Sequence, residues 1–150
     1  MKSSLLNKVL SSQAGVAALI LRAPIGLILA AHGAQKLFAW FGGYGLEGTG
    51  QWMASIGMTP GYLMALLAGS AEFFGGLALV LGLFTRPAAL VAAFTMLVAI
   101  FSVHIGNGLF MSNNGYEYAL TLLVALVALA VQGGGCFSLD NVIAKKLTDK

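Results

Sequence analysis

Five side chains able to carry charge stand inside or beside the long apolar runs of this chain: Arg22, His32, Lys36, Glu72 and His104. In lipid such groups are costly, and they face a bundle interior or a wet cavity. Glu72, in the stretch GSAEFFGG, has apolar residues on both sides for several turns. Arg22, Gly26, Leu29, Gly33 and Lys36 follow one another at steps of three or four, with His32 beside them. On a helix that spacing is one stripe, which can carry both cations toward the carboxylate. A carboxylate can exchange protons with a bound molecule, while an imidazole or amine beside it donates hydrogen bonds to that molecule's carbonyl oxygens. Each group also has a plainer use. Arg22 and Glu72 can form a register-fixing pair, Lys36 can snorkel to the headgroups, and the histidines can serve as interfacial hydrogen bonders. The order of residues leaves open whether Arg22 or Lys36 reaches Glu72.

The elements that must position these groups are apolar helices. Of 150 residues, 59% are hydrophobic and only 9% charged, and the mean hydropathy is +0.89. A water-facing domain carries about 25% charged residues, so these charges are too few to coat one. The eight lysines and arginines are scattered, and no basic stripe suits a nucleic acid. A lone Cys136 excludes an intrachain disulfide, a Cys-x-x-Cys redox pair and a cysteine-ligated cluster. No metal site is expected. Four apolar segments, at about 15–39, 62–84, 88–105 and 116–132, approach the roughly 20 residues that a membrane crossing needs. The fold class is therefore all-α: a four-transmembrane-helix bundle forming a single domain over 1–150. Ala65, Gly69, Ala71, Gly75, Ala88 and Ala92 recur at close spacings and let helix backbones approach one another in lipid. The first run is long and interrupted by Arg22, and it reads as a retained helix, not a signal peptide.

Lys2 and Lys8 precede the first span, Arg86 lies in the turn Thr85-Arg86-Pro87 after the second, and Lys145, Lys146 and Lys150 follow the fourth. The positive-inside rule puts these regions, and both termini, in the cytoplasm. The loop after the first span contains LEGTGQWMASIGM, which suits a short interfacial helix anchored by Trp52 or a lid over a pocket. His32, Lys36, His104, Glu117 and the tyrosines then share the outer third of the bilayer, with Glu72 deeper and Arg22 deeper still. They outline a polar, outward-facing pocket whose floor is Glu72. His32-x4-Leu-Phe and His104-x4-Leu-Phe echo one another, each before a helix with an acidic–aromatic pair, Glu72-Phe73 or Glu117-Tyr118. Two copies of one hairpin, related by an axis along the membrane normal, would bring both His–Glu sets to a shared centre.

An arginine early in the first span, then HGAQKLFAWFGGYGLEGT, LAGSAEFFGGLALVLGLFTRPAAL, VHIGNGLF, NNGYEY and GGGCFSLD in that order, closely resemble the DoxX family of small bacterial membrane proteins over about residues 17–141. One departure is Gly133-Gly134-Gly135, where the family has Gly-Pro-Gly. The resemblance implies a multi-pass, four-helix protein of the bacterial cytoplasmic (inner) membrane. It also implies an association with quinone-linked oxidoreductase systems and with oxidative, thiol or quinone stress response.

The expected function is redox service at a quinone-like molecule, as a subunit or partner of an oxidoreductase. Glu72, His104 and His32 carry the chemistry in this reading. Arg22, Gln35, Lys36, Trp40, Phe41, Phe73, Asn107, Phe110, Tyr116 and Glu117 line the ligand. No electron source is visible, so a redox partner protein or a diffusible reductant is required. A variant places a b-type haem between His32 and His104. Alternatives of other classes are a small-solute or proton transporter gated by Glu72, and a scaffold whose tail NVIAKKLTDK recruits soluble partners. That tail also suits anionic headgroups of the lipid bilayer. A homo-oligomer stays open.

Overall fold

Strips of small residues decide how closely the first two long helices approach. In the computed structural model, which describes residues 5–148, α2 (Gly15–Phe38) lies against α4 (Gly61–Leu81). A Cβ added at Gly26 would come within 2.5 Å of the Gly76 carbonyl, and one at Gly76 within 2.5 Å of the Ala30 nitrogen. A Cβ at Gly33 would strike the backbone of Phe73 and Gly69. The two backbones are therefore in contact. In lipid there is no hydrophobic drive between helices, so close packing of this kind is what holds them.

The second pair is α5 (Thr85–Ala99) and α6 (Glu117–Gln132). Ala89, Ala92, Ala93, Met96 and Ile100 meet Ala119, Leu122, Leu126 and Leu129, and Ile25, Leu29 and Leu79 join them to complete the core. Two short helices, α1 (Leu5–Leu10) and α7 (Leu139–Thr148), pack together at one end of the bundle, the termini end. At the opposite, loop end, α3 (Gly45–Ser55) lies against α4 and α2. It is the short helix expected in the first long loop. Among the described residues there is no strand. Lys2 and Lys150, used above for orientation, lie outside the described residues.

Three helical segments are long and apolar enough to cross a membrane: Gly15–Phe38, Gly61–Leu81 and Thr85–Asn107. α6 is a shorter apolar helix of 16 residues, about 24 Å long at 1.5 Å per residue. Two boundaries differ from the sequence expectation. α4 stops at Leu81 because Gly82 takes a left-handed conformation, φ 64°, and its N–H and that of Leu83 close on Leu79 and Ala78. This is the usual glycine stop of a helix. α5 then begins at Thr85 instead of Ala88, so Thr85-Arg86-Pro87 is its first turn and not a loop. Pro87 lacks an N–H where none is needed. Asp140 supplies the missing cap, accepting from the Phe84 N–H at 2.6 Å and the Thr85 N–H at 2.8 Å.

Arginines fasten the termini end. Arg22, fully buried, donates from Nη1 to the carbonyls of Leu79 (2.9 Å) and Val80 (2.5 Å), from Nε to Gly134 (3.0 Å) and from Nη2 to Phe137 (3.0 Å). Leu79 and Val80 belong to the last turn of α4, where a helix C-terminus runs short of donors, and Leu79 also accepts from the Gly82 N–H. Arg86 does the same for α6, donating to the carbonyls of Ala130 (3.1 Å) and Val131, and it also reaches Val9 (3.2 Å) and Ser11 (3.2 Å).

Candidate functional site

Gly33 and Gly69 bring α2 and α4 close enough for Lys36 to cross between them. Even at Gly69 an added Cβ would lie 3.2 Å from the Lys36 Cβ. Glu72 shares the buried face of α4 with Ala65, Gly69 and Gly76, at steps of three and four. Lys36 Nζ donates to Glu72 Oε2 at 2.5 Å, with the carboxylate side chain 6% exposed and the lysine 23%. It is Lys36, not Arg22, that reaches the carboxylate. Arg22 lies fourteen residues earlier on α2, about 21 Å along the helix, and is committed to backbone carbonyls. Its expected place among the ligand-binding residues is corrected accordingly.

The ion pair opens on a cavity of about 800 Å³. α4 contributes Met64, Leu67, Ala68, Ala71 and Glu72 to its wall, and α5 with its continuation contributes residues from Leu90 to His104. Trp52 and Met53 of α3, together with Met58 and Asn114, close the loop end. The wall is mostly apolar, so the outward-facing polar basin expected above is corrected to an apolar cleft with a few polar groups.

His104 owes its place to a break in helical geometry. After Ala99 the chain forms a π-turn, Ile100–His104, closed by a bond from the Ile105 N–H to the Ile100 carbonyl, and then a 3₁₀ turn, Ile105–Asn107. Such turns are rare and recur at functional sites. His104 Nδ1 lies 2.8 Å from the Asn114 carbonyl oxygen. A carbonyl only accepts, so Nδ1 carries the proton in this bond and Nε2 remains for other partners. Asn107 Nδ2 donates to the same oxygen at 3.2 Å, which holds it in place. Asn107 thus supports His104 without lining the cleft.

His104 and Glu72 close opposite ends. The helices run antiparallel from the turn at Gly82, and Gly75 lies beside Ala88 (an added Cβ would be 3.7 Å from its carbonyl oxygen). Glu72 is therefore level with about Val91, and thirteen residues of helix, about 20 Å, separate that level from His104. Imidazole marks the loop end, and carboxylate with ammonium marks the floor.

The remaining expected site residues lie elsewhere. His32 is exposed, with its ring 6.3 Å from that of Tyr118, and it does not line the cleft. The two histidines therefore do not face one site, as a shared haem would need. Gln35 Nε2 donates to the Phe41 carbonyl at 3.2 Å. Trp40 and Phe41 are exposed and meet edge to face, and Phe73 packs against Phe38 and Phe74. Phe110 is exposed, and Tyr116 packs on the core. Glu117 Oε1 accepts from the Met111 N–H at 2.6 Å, so the second half of the echo caps a loop and forms no shared centre with the first. Sequence reasoning missed Met53, Met58, Met64, Phe94, Thr95 and Asn114. The one signal was methionine: three of the six in the chain line this cleft, and thioethers suit adaptable binding surfaces.

The DoxX family model matches residues 17–105, which hold α2 to α5, the ion pair and the π-turn. The chain belongs to the DoxX family. This DoxX-family chain is similar to the Bacillus subtilis (strain 168) protein named "Putative oxidoreductase CatD", at 33% identity over 130 residues, 87% of this chain and 89% of CatD. It is similar to the Escherichia coli (strain K12) inner membrane protein YqjF, at 36% identity over 108 residues, 68% of this chain and 77% of YqjF. A Haemophilus influenzae protein is 40% identical over 86 residues, 55% of this chain and 64% of that protein's own length. No solved structure matches. Family, inner-membrane relatives and apolar helices together make this a multi-pass protein of the bacterial inner membrane, in contact with the lipid bilayer.

Proposed function

We propose that the cleft between α4 and α5 binds a quinone-like small molecule and that the chain serves an oxidoreductase system as a subunit or partner. One observation carries this reading. A buried carboxylate and an ammonium, brought from two helices, meet at 2.5 Å on the floor of an apolar cavity large enough for a drug-sized ligand. Lys36 Nζ is the donor for a ring carbonyl oxygen, and Glu72 is the group that exchanges protons at the ring. Met64 and Phe94 pack its faces. His104, about 20 Å away, lines the loop end of the same cleft. The ligand supplies two-electron chemistry: one quinone takes two electrons and two protons to give one quinol. The electrons come from a partner oxidoreductase, and the protons pass through Glu72. CatD's printed name supports the redox class.

The accompanying topology has α6 as a fourth span beside α5, both termini in the cytoplasm and the loop end outward. The wall that α2 and α4 turn to the termini end favours a blind site over a transport path, since Leu29 and Leu79 are fully buried there.

Calorimetric titration of the protein in nanodiscs with a quinone analogue tests the assignment. Glu72→Gln is expected to abolish binding and His104→Ala to leave it within a few-fold, with helix content by circular dichroism unchanged in both. Wild-type affinity in the Glu72→Gln protein would refute it.

A further inference from the structure

The floor of the cleft lies far from its loop end. Trp52 and Met53 cover the loop end, and about 20 Å of apolar wall lies between His104 and Glu72. Near the level of Glu72, Leu67 on α4 and Leu90, Val91 and Phe94 on α5 line the cleft and are 51–66% exposed. Wall residues this exposed mark where a cleft is open. These residues lie on the two helices Gly61–Leu81 and Thr85–Asn107, well inside their apolar lengths, so the opening faces acyl chains and not headgroups.

We infer that the cleft opens sideways into the bilayer between α4 and α5, and that its ligand carries a long apolar chain. The polar head sits on Lys36 and Glu72, and the chain leaves through the rim at Leu67, Leu90, Val91 and Phe94. This rests on the reading of the cleft as a quinone-type site, and it narrows the ligand to lipid-dissolved members of that class. The geometry suits such a molecule on two counts. A chain that stays among lipid tails loses no apolar environment on binding, because lipid is as apolar as the leucines and valines of the rim. The charged floor, costly in hydrocarbon, gains a polar partner that a bare lipid tail cannot give.

The test compares one quinone ring with and without a decyl chain, titrated into nanodiscs holding the wild type, Ala68→Phe or Thr95→Phe. These two positions line the cleft from opposite helices at the level of the opening, and neither is a partner in the ion pair. Circular dichroism and size-exclusion profiles verify folding, and one well-folded variant suffices. The inference expects the chain-bearing ligand to lose at least about tenfold in affinity while the bare ring changes by no more than about twofold, since overpacking excludes the chain and not the head. Equal losses for both ligands, or no loss for either, overturn the lateral opening. Retention of a bilayer phospholipid that the chain-bearing ring cannot displace, read by native mass spectrometry, also overturns it. Failure of both ligands to bind the wild type is a different result: it sinks the quinone-type site itself.

Discussion

Arg22 and Lys36 stand on the same stripe of the same helix, and the protein uses them in opposite ways. At the termini end, Arg22 makes four hydrogen bonds to backbone carbonyls and is fully buried. Arg86 treats the end of α6 alike, and both oxygens of Asp140 are engaged by N–H groups at the start of α5. On the floor of the cleft, Lys36 and Glu72 share one hydrogen bond, and both face a cavity. Glu72 Oε1 and the other ammonium hydrogens keep their bonding capacity among the described residues. A charge whose donors all go to backbone fixes the fold. One with bonding capacity left over, beside an apolar cleft, is open to a further partner. Costliness in lipid alone does not distinguish the two; where the hydrogen bonds go does.

That contrast can be broken from either side. The largest expected effect is Arg22→Met, which removes the donors to the carbonyls of Val80, Gly134 and Phe137 and one of the two donors to the Leu79 carbonyl. At about 1–3 kcal/mol for each orphaned group, the variant is expected not to yield a monodisperse folded protein in detergent, and an unchanged thermal unfolding midpoint would end the structural assignment. Next is Asp140→Ala. Loss of a cap of this kind costs about 0.5–2 kcal/mol, so thermal unfolding is expected to shift down while affinity for the quinone analogue stays at the wild-type value. The smallest effect on stability belongs to Glu72→Gln. The amide keeps the shape of the carboxylate, and Lys36, already 23% exposed, can move its ammonium to a wetter place. The unfolding midpoint is expected to change by less than that of Asp140→Ala, with binding lost. A larger fall for Glu72→Gln than for Asp140→Ala would make the ion pair a structural device and remove the contrast.

Some of this was legible in the residues themselves. The stripe Arg22, Gly26, Leu29, Gly33, Lys36 does face α4, because 3.6-residue periodicity fixes which side chains share a face. The apolar segments, the short helix after the first of them, and Glu72 as the floor of a cavity follow from the same local rules. The misplacements have a common form. Depth along the bilayer sets His32 and Glu117 near the mouth of a pocket above Glu72, but depth says nothing about which side of a helix is turned to which neighbour.

Composition and periodicity alone determined that this is a helical protein of the membrane whose few ionisable groups lie on definable faces. Charge is too scarce for a water-facing coat, and the spacing of small and polar residues is a property of one helix at a time. Only the tertiary structure decided that Lys36 and not Arg22 meets Glu72, that a π-turn brings His104 to the opposite end of the same cleft, and that the cleft lies between α4 and α5. Those outcomes depend on the distance and rotation between helices. These are set by glycine contacts such as Gly33 on Phe73 and by Asp140 reaching back across fifty-five residues to start α5, which no single stretch of the chain encodes.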